Sequence, residues 1–142
     1  MGDFPAFKKY FEPKNNKTGY LATIARRGQP TLRPVSFFLV GRKICFSTYS
    51  GDAKVKQIKK NPHVEVCIPV NRGRWRGYYR IAGAAELVAD PAARKTIFKK
   101  GPYAAEGYWE GADDPRLAIV VVKAEASRYL PPGKYKEVEV NL

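Results

Sequence analysis

Alternation of apolar and polar residues predicts that this chain is built mainly from β-strands. In segment 63–70, apolar residues recur at every second position, which is the repeat of a strand with one buried face. Comparable runs predict further strands at residues 20–25, 31–40, 44–48, 75–88 and 117–129. Gly83 interrupts the run 75–88, where we expect a bulge or a close approach of another backbone.

Short turns join the first three predicted strands. Residues 26–30 (R-R-G-Q-P) and Gly41 separate the apolar runs, so these strands are expected to form an antiparallel meander. The most apolar run, 117–122 (L-A-I-V-V-V), predicts a central strand, whereas the tail 131–142 predicts an edge strand or a frayed end.

Helices are fewer and shorter in this pattern. Asp52 is the expected N-cap of a helix over 52–60 that ends before Pro62, and Asp90 caps a second helix that stops near Gly101. A short helix at 6–11 would place aromatic residues on one stripe, which we expect to pack against the domain. Residues 102–115 are expected to be a loop or a broken helix that offers a lid or a partner contact.

Hairpin-type connections and few helices predict a mainly β fold. We expect an antiparallel six-stranded barrel with two to three short helices, because a doubly wound fold requires a helix after nearly every strand. The length of 142 residues suits one domain over 1–142, with an N-terminal arm at 1–16 and the C-terminal tail at 131–142.

The charge predicts that this protein attracts anions. A formal net charge of +13 suits nucleic acid, an anionic membrane surface or a phosphorylated small molecule, and charge alone does not choose among them. Cys45 and Cys67 lack the spacing of a metal or redox pair, so we expect small buried side chains and no metal site. No apolar stretch approaches the roughly 20 residues of a membrane span, and the expected location is the cytoplasm.

One stretch, residues 33–54, gathers donors that suit a phosphate. Arg33 leaves one end of the apolar face formed by Val35, Phe37 and Leu39. Thr48 and Ser50 close the next strand, and Lys54 lies in the first turn of helix 52–60, where free backbone N–H groups add partial positive charge. The sequence therefore predicts an anion site at this strand-to-helix junction.

The order of short motifs resembles that of the FMN-binding split barrels related to pyridoxamine 5'-phosphate oxidase. The similarity covers nearly the whole chain, through L-A-T-I-A at 21–25, R-P-V-S at 33–36, F-S-T-Y-S-G-D-A-K at 46–54, I-K-K-N-P-H-V-E-V at 58–66 and I-A-G-A-A-E-L-V at 81–88. The resemblance implies a six-stranded split barrel that forms a homodimer, with two FMN molecules in clefts between the subunits.

The same resemblance implies roles for individual residues. Arg33 and Lys54 match the phosphate-binding basic residues of the family, and Pro34, Val35 and Ser36 match the strand that lies along the flavin. Ser47 and Thr48 match the pair before the loop. Tyr78 lies near the position of a family glutamine and is a further candidate contact to the cofactor.

This chain departs from true pyridoxamine phosphate oxidases in three ways. Those enzymes carry a lysine at the position of Phe38, a glutamine near that of Tyr78, and a C-terminal segment with further substrate-binding residues. The departures argue against vitamin B6 phosphate as the substrate, and they leave the flavin site in place.

Three functional hypotheses follow. The first is an FMN-dependent oxidoreductase of undefined substrate, to which NADH or NADPH would be a possible electron donor, with unknown catalytic residues because the flavin carries the chemistry. Trp75, Trp109, Tyr78 and Tyr108 are candidates for stacking near the ring or, equally, for core or interface packing. The second is a non-enzymatic carrier of FMN or a deazaflavin, or a stress-response protein.

The third hypothesis is a nucleic-acid binder. Arg26, Arg27 and the segment 71–80 (N-R-G-R-W-R-G-Y-Y-R) interleave basic and aromatic residues, which suits phosphate contacts and base stacking. Against this hypothesis, a strand that begins at Trp75 would send alternate side chains to opposite faces and split the basic patch.

Overall fold

The computed structural model describes residues 2–102 and 107–142. The three α-helices of this part of the chain are α1 (Asp3–Lys8), α2 (Ala53–Lys60) and α3 (Pro91–Lys100). Its strands are β1 (Lys17–Ile24), β2 (Pro30–Val40), β3 (Lys43–Tyr49), β4 (His63–Pro69), β5 (Tyr78–Leu87), β6 (Leu117–Leu130) and β7 (Val138–Val140). Residues 103–106 of the predicted loop 102–115 lie outside the described residues.

Six strands close into an antiparallel barrel in the order β3-β2-β1-β4-β5-β6, and β3 pairs with β6 to complete the ring. The 14-residue strand β6 makes closure possible, because its first half pairs with β3 while most of its length pairs with β5. The predicted fold class, the meander of the first three strands and the central position of the run 117–122 are therefore confirmed.

Two apolar clusters lie on either side of the barrel wall. The interior cluster includes Leu21, Phe37, Phe46 and Ile81, and the N-terminal segment adds its aromatic side chains to it. These are Phe4, Phe7 and Phe11, each at most 7% exposed, so the expected packing of the arm against the domain is confirmed.

The second cluster packs α3 against the outer side of the wall. Phe38, Cys45 and Ile119 form one cluster with Ile97 of α3, and Trp109 lies against the same cluster. Burial raises the pKa of the Cys45 thiol to about 12, so Cys45 stays protonated and packs as a small apolar residue.

The predicted start of the fifth strand at Trp75 is wrong, because β5 begins at Tyr78. Arg72 and Trp75 form a tight turn, in which each backbone N–H donates to the other residue's carbonyl oxygen at 2.8 and 2.9 Å. Gly73 has a φ of 58°, a conformation that costs glycine little. The segment 71–77 is therefore a hairpin loop and not a continuation of the strand.

The predicted bulge at Gly83 is confirmed. The register of β5 against β6 shifts between Ala82 and Gly83. A Cβ atom at Gly83 would collide with the carbonyl oxygen of Lys123, so the two backbones meet here without room for a side chain.

The C-terminal tail docks on the barrel through an edge strand and a charge cluster. β7 pairs with Ser127–Tyr129 of β6. Glu137 accepts hydrogen bonds from the Tyr78 hydroxyl at 2.5 Å and from Arg80, and these bonds lower the pKa of Glu137 to about 2. Arg80 also pairs with Glu65 of β4, so the tail is tied to two strands.

Within the two described ranges, no helix has both the length and the apolar character that a membrane crossing requires.

Gly83→Ala is expected to lower the free energy of unfolding by about 1–3 kcal/mol or more, since the new Cβ collides with backbone atoms that cannot move aside. Urea denaturation measures the change. Gly51→Ala is the matched control, because no atom lies within 4 Å of its added Cβ. Equal stability of the two variants would contradict the tight approach at the bulge.

The Glu137 cluster predicts a specific loss of stability in acid. Because folding depresses the pKa of Glu137 from 4.5 to about 2, its contribution is complete above about pH 4.5 and is lost as the pH falls towards 2. We expect Glu137→Gln to reduce the free energy of unfolding at pH 5, and the difference from the parent protein to shrink towards pH 2.5. A difference that does not change with pH would show that the carboxylate charge contributes nothing.

Candidate functional site

A gap between β2 and β3 is the structural basis of the candidate site. The two strands pair only between residues 38–40 and 43–45, whereas β3 continues along β6 as far as Tyr49. Beyond Phe38 the strands separate, and residues 33–37 face the gap from one side while residues 46–49 face it from the other. The edge of β2 therefore presents backbone N–H and C=O groups that β3 does not pair.

Arg33 lies in the first half of β2 on the interior face of the barrel, opposite Leu21 of β1. Its guanidinium donates to the Thr23 hydroxyl at 2.7 Å and to the Leu21 carbonyl at 3.3 Å. The other terminal nitrogen donates to Thr31 Oγ1 at 2.8 Å and to Gln57 Oε1 at 3.1 Å. These four bonds fix the plane and position of the guanidinium at the rim of the barrel.

The charge of Arg33 is not balanced by these partners, which are all neutral groups. Burial lowers the pKa of Arg33, the direction expected for a cation that loses water without gaining an anion. Arg80 and Arg116 behave in the opposite way, because the hydrogen bonds that each donates to carboxylates raise its pKa. Since arginine remains charged at neutral pH, Arg33 is a half-buried positive charge that favours a bound anion.

Lys54 lies at the start of α2 and contacts Asp52. Its ammonium is 2.9 Å from Asp52 Oδ2, which also accepts a hydrogen bond from the Thr48 hydroxyl. The bond from Thr48, followed by that from Lys54, lowers the pKa of Asp52. Asp52 occupies the N-cap position as predicted, yet its carboxylate makes no capping bond, because these two side chains engage it instead.

Helix α2 connects the two predicted phosphate-binding cations. Arg33 reaches the helix through Gln57, and Lys54 precedes Gln57 by three residues. Side chains with this spacing are neighbours on a helix surface, with Cβ atoms about 5–6 Å apart. Thr48, Lys54, Gln57 and Arg33 therefore surround one end of the gap.

The remaining predicted site residues divide between the two faces of their strands. Val35 packs against the interior cluster, whereas Pro34 is exposed on the outer side of β2. Ser36 and Ser47 lie half-buried on the two edges of the gap. The Ser50 hydroxyl donates to the Pro115 carbonyl at 3.0 Å.

Tyr78 is not brought to this site within one protomer. A line of paired residues, Arg80, Cys67, Tyr20 and Pro34, crosses from β5 to β2. Three strand spacings separate its ends, a distance of about 14 Å. Tyr78 itself is engaged with Glu137 on the β5 side of this line.

Sequence reasoning missed the three neutral residues that hold Arg33. Thr23 and Thr31 are paired across the first hairpin, and both hydroxyls also contact Gln57 Oε1. Two signals in the sequence identify these residues in retrospect. Thr23 and Thr31 are equally distant from the turn between β1 and β2, and Gln57 follows Lys54 by three residues.

A groove of about 680 Å³ runs beside this cluster, between α2 and the turn that joins β1 to β2. Gln57 belongs both to its wall and to the Arg33 cluster. Arg26, Lys56 and Lys60 also line the groove, and its lining contains no carboxylate. The arrangement is therefore suited to a ligand with more than one negative charge.

Comparison with known proteins places these features in a family. The sequence profile of the pyridoxamine 5'-phosphate oxidase family matches residues 6–131. General stress protein 26 of Bacillus subtilis (strain 168) is 28% identical over 129 residues, which cover 90% of this chain and 89% of that protein.

Solved structures share the fold at lower sequence identity. A heme binding protein from Mycobacterium smegmatis is 19% identical with a TM-score of 0.70, and the match covers 88% of this chain and 53% of that one. An F420 reductase is 24% identical with a TM-score of 0.62, over 84% of this chain and 94% of that one.

The family profile spans most of the chain. The barrel formed by this chain opens between β2 and β3, beside the cluster around Arg33. The chain belongs to the pyridoxamine 5'-phosphate oxidase family.

Proposed function

We propose that this protein binds FMN and acts as an FMN-dependent oxidoreductase on a small-molecule substrate. The observation that carries the proposal is the half-buried guanidinium of Arg33, which is held by neutral partners and forms no ion pair with a carboxylate of the described residues. A phosphate would supply the missing negative charge.

The residues around the gap fit the parts of FMN. Arg33 and Lys54 would hold the phosphate, and the Thr48 hydroxyl lies beside Lys54 through their shared partner Asp52. The unpaired edge of β2 at Pro34, Val35 and Ser36 would offer backbone hydrogen bonds to the ring. When bound, the flavin supplies hydride and electron transfer, while this chain provides binding, orientation and exclusion of water.

An apolar patch on the outer face of the barrel supports a homodimer with the cofactor between subunits. Tyr20 and Leu32 are 41% and 69% exposed, and they lie on neighbouring strands beside Pro34. Exposed apolar side chains that cluster in this way are typical of protein interfaces. In such a dimer the cofactor contact predicted for Tyr78 would have to come from the partner subunit, because Tyr78 of the same protomer does not reach the gap.

The position of Phe38 argues against vitamin B6 phosphate as the substrate. The family oxidases that use it resemble this chain but carry a lysine there, whereas Phe38 is 1% exposed in the cluster beneath α3. This position therefore offers neither a positive charge nor an accessible side chain to a substrate.

The groove beside α2 favours a second candidate cofactor, a deazaflavin. The F420 reductase shares the fold, and a cofactor that carries acidic groups beyond a single phosphate would place them in this groove. Arg26, Lys56 and Lys60 would hold these groups next to the Arg33 cluster.

The visible spectrum of the purified protein, before and after addition of FMN, tests the proposal directly. We expect flavin bands, and we expect NADH or NADPH to bleach them faster than they bleach free FMN. Bound FMN that is reduced no faster than free FMN would indicate a carrier, and a heme spectrum or a protein that takes up no flavin would contradict the proposal.

Arg33→Ala and Lys54→Ala are each expected to weaken FMN binding by about 10- to 150-fold, the equivalent of one charge-assisted hydrogen bond of roughly 1.5–3 kcal/mol. Fluorescence titration of the apoprotein measures the affinity. Arg42→Ala is the matched control, since it removes an exposed arginine beyond the opposite end of β2. Arg33→Lys, which keeps the charge but loses the forked geometry, should bind with intermediate affinity.

Thermal unfolding of each variant separates a folding defect from a binding defect. If both alanine variants fold and bind FMN as the parent does, the phosphate site lies elsewhere.

Lys56→Gln and Lys60→Gln together are expected to weaken binding of a deazaflavin with an acidic tail by roughly 5- to 30-fold, and to leave FMN affinity unchanged. The reason is that these lysines line the groove and not the phosphate cluster. Lys59→Gln is the control, an exposed lysine of the same helix outside the groove lining. Equal effects of all three substitutions would contradict the second candidate without affecting the first.

A further inference from the structure

A basic and aromatic surface lies where the loop between β4 and β5 meets the segment after β6. We call it the loop–tail surface, and its exposed members are Arg72, Arg74, Trp75, Arg76, Lys134, Tyr135 and Lys136. The two segments are about 60 residues apart in the chain, so only the fold brings them together.

Backbone packing holds the two segments in contact. A Cβ atom at Gly77 would lie 2.7 Å from the Leu130 carbonyl oxygen and 2.8 Å from Pro132. A Cβ atom at Gly133 would lie 3.4 Å from the indole ring of Trp75. Next to these contacts, Glu137 accepts hydrogen bonds from Tyr78 and Arg80. These bonds hold the tail against β5 beneath the loop–tail surface.

The positive charges of this surface are not neutralised by the protein. Among the described residues, none of its five basic side chains forms an ion pair. The nearby acids Glu137 and Glu139 are engaged with Arg80 and Arg128. Five cations on two adjoining segments therefore present a field that attracts a polyanion.

The surface also offers planar groups for stacking. The Arg74 guanidinium carbon lies 4.6 Å from the centre of the Trp75 ring, and Arg74 is an exposed residue. Tyr135 is 99% exposed, so its ring has both faces open. Bases of single strands stack on aromatic rings and on arginine guanidinium planes, whereas bases in a duplex are not accessible in this way.

The hairpin turn at Arg72 and Trp75 removes the argument against a basic patch in this segment. A strand beginning at Trp75 would have divided its side chains between two faces, but the strand begins at Tyr78. All of residues 71–76 are exposed in the loop.

We propose that the loop–tail surface binds single-stranded nucleic acid, with the basic side chains on phosphates and with Tyr135 and Arg74 stacked on bases. An anionic membrane fits less well, because the 47% exposed Trp75 ring carries the Arg74 guanidinium over it and so does not project as a purely apolar anchor. The proposal uses none of the residues assigned to the flavin phosphate, Arg33 and Lys54.

Fluorescence anisotropy with a labelled oligothymidine and an oligouridine of about 15 nucleotides tests the proposal, between roughly 50 and 200 mM KCl. Lys134→Gln with Lys136→Gln is expected to weaken binding and to reduce the slope of log affinity against log salt by about 1.4, for two lost phosphate contacts. The matched control, Lys95→Gln with Lys99→Gln, removes two exposed lysines of α3. Its salt slope should be steeper than that of the Lys134→Gln, Lys136→Gln variant.

Tyr135→Ala isolates stacking from charge. Because the side chain is almost fully exposed, its removal should not disturb the fold, and we expect affinity to fall about 5- to 150-fold through loss of one stacked base. Tyr108→Ala, which removes another exposed tyrosine, should bind the oligonucleotides as the parent does.

Several outcomes would overturn the proposal. These are equal salt slopes for the two double variants, unchanged affinity of Tyr135→Ala, equally tight binding of the duplex of the same sequence, and binding to phosphatidylserine vesicles without binding to oligonucleotides. Unchanged FMN affinity in the loop–tail variants is expected in every case, so failure here leaves the flavin proposal unaffected.

Discussion

A guanidinium charge held at the rim of a β-barrel by neutral partners is the interaction around which the candidate site is organised. Two threonine hydroxyls, a carbonyl and the Gln57 amide oxygen satisfy the hydrogen bonds of Arg33 without cancelling its charge. Burial of a charge with satisfied donors but no counter-ion leaves an electrostatic cost that a bound anion would relieve. The cluster also ties β1, β2 and α2 together, so the same contacts serve the fold and the site.

The split in the barrel follows from how the strands share their hydrogen-bonding edges. β3 leaves β2 after three residue pairs and remains with β6, so one edge of β2 is left unpaired in the part of the strand that carries Arg33. Closure through β6 keeps the rest of the barrel intact. Helix α2 lies at this opening, with Ile58 in the interior cluster and Gln57 on Arg33. A ligand site therefore arises where the sheet is incomplete, while the barrel itself remains closed elsewhere.

Paired and unpaired cations divide the surface of this basic protein into two kinds of region. Arg80, Arg116 and Arg128 have carboxylate partners and hold loops and the tail in place. Arg33 and the basic residues of the loop–tail surface have no ion-pair partner among the described residues, and these regions are where anions are expected to bind. Lys54 belongs to both kinds, because it pairs with Asp52 and lies beside the Arg33 cluster. The net charge of +13 alone does not make this distinction, because it counts both kinds together.

The sequence by itself determined the fold class, the order of the strands along the chain and the residues that cap or break them. Two-residue periodicity, turn glycines and the Asp-Pro start of α3 act over a few residues, and Asp90 caps its helix as expected. Gly83 also revealed its bulge, because a glycine inside a strand has few other causes. Local sequence also identified the cations Arg33 and Lys54, because Arg33 lies at one end of an apolar strand face and Lys54 lies in the first turn of a helix.

Only the tertiary structure decided which side chains those cations meet. Gln57 lies 24 residues from Arg33, and its role depends on α2 crossing the open end of the barrel. Asp52 was expected to cap the helix, but Thr48 and Lys54 compete for its carboxylate once β3 and α2 meet. The loop 71–77 was misread because local propensity does not record that Gly77 and Trp75 pack against the tail. Contacts between segments distant in sequence leave no local pattern in the sequence. These contacts decide whether a positive charge is neutralised by a carboxylate or is available to a ligand.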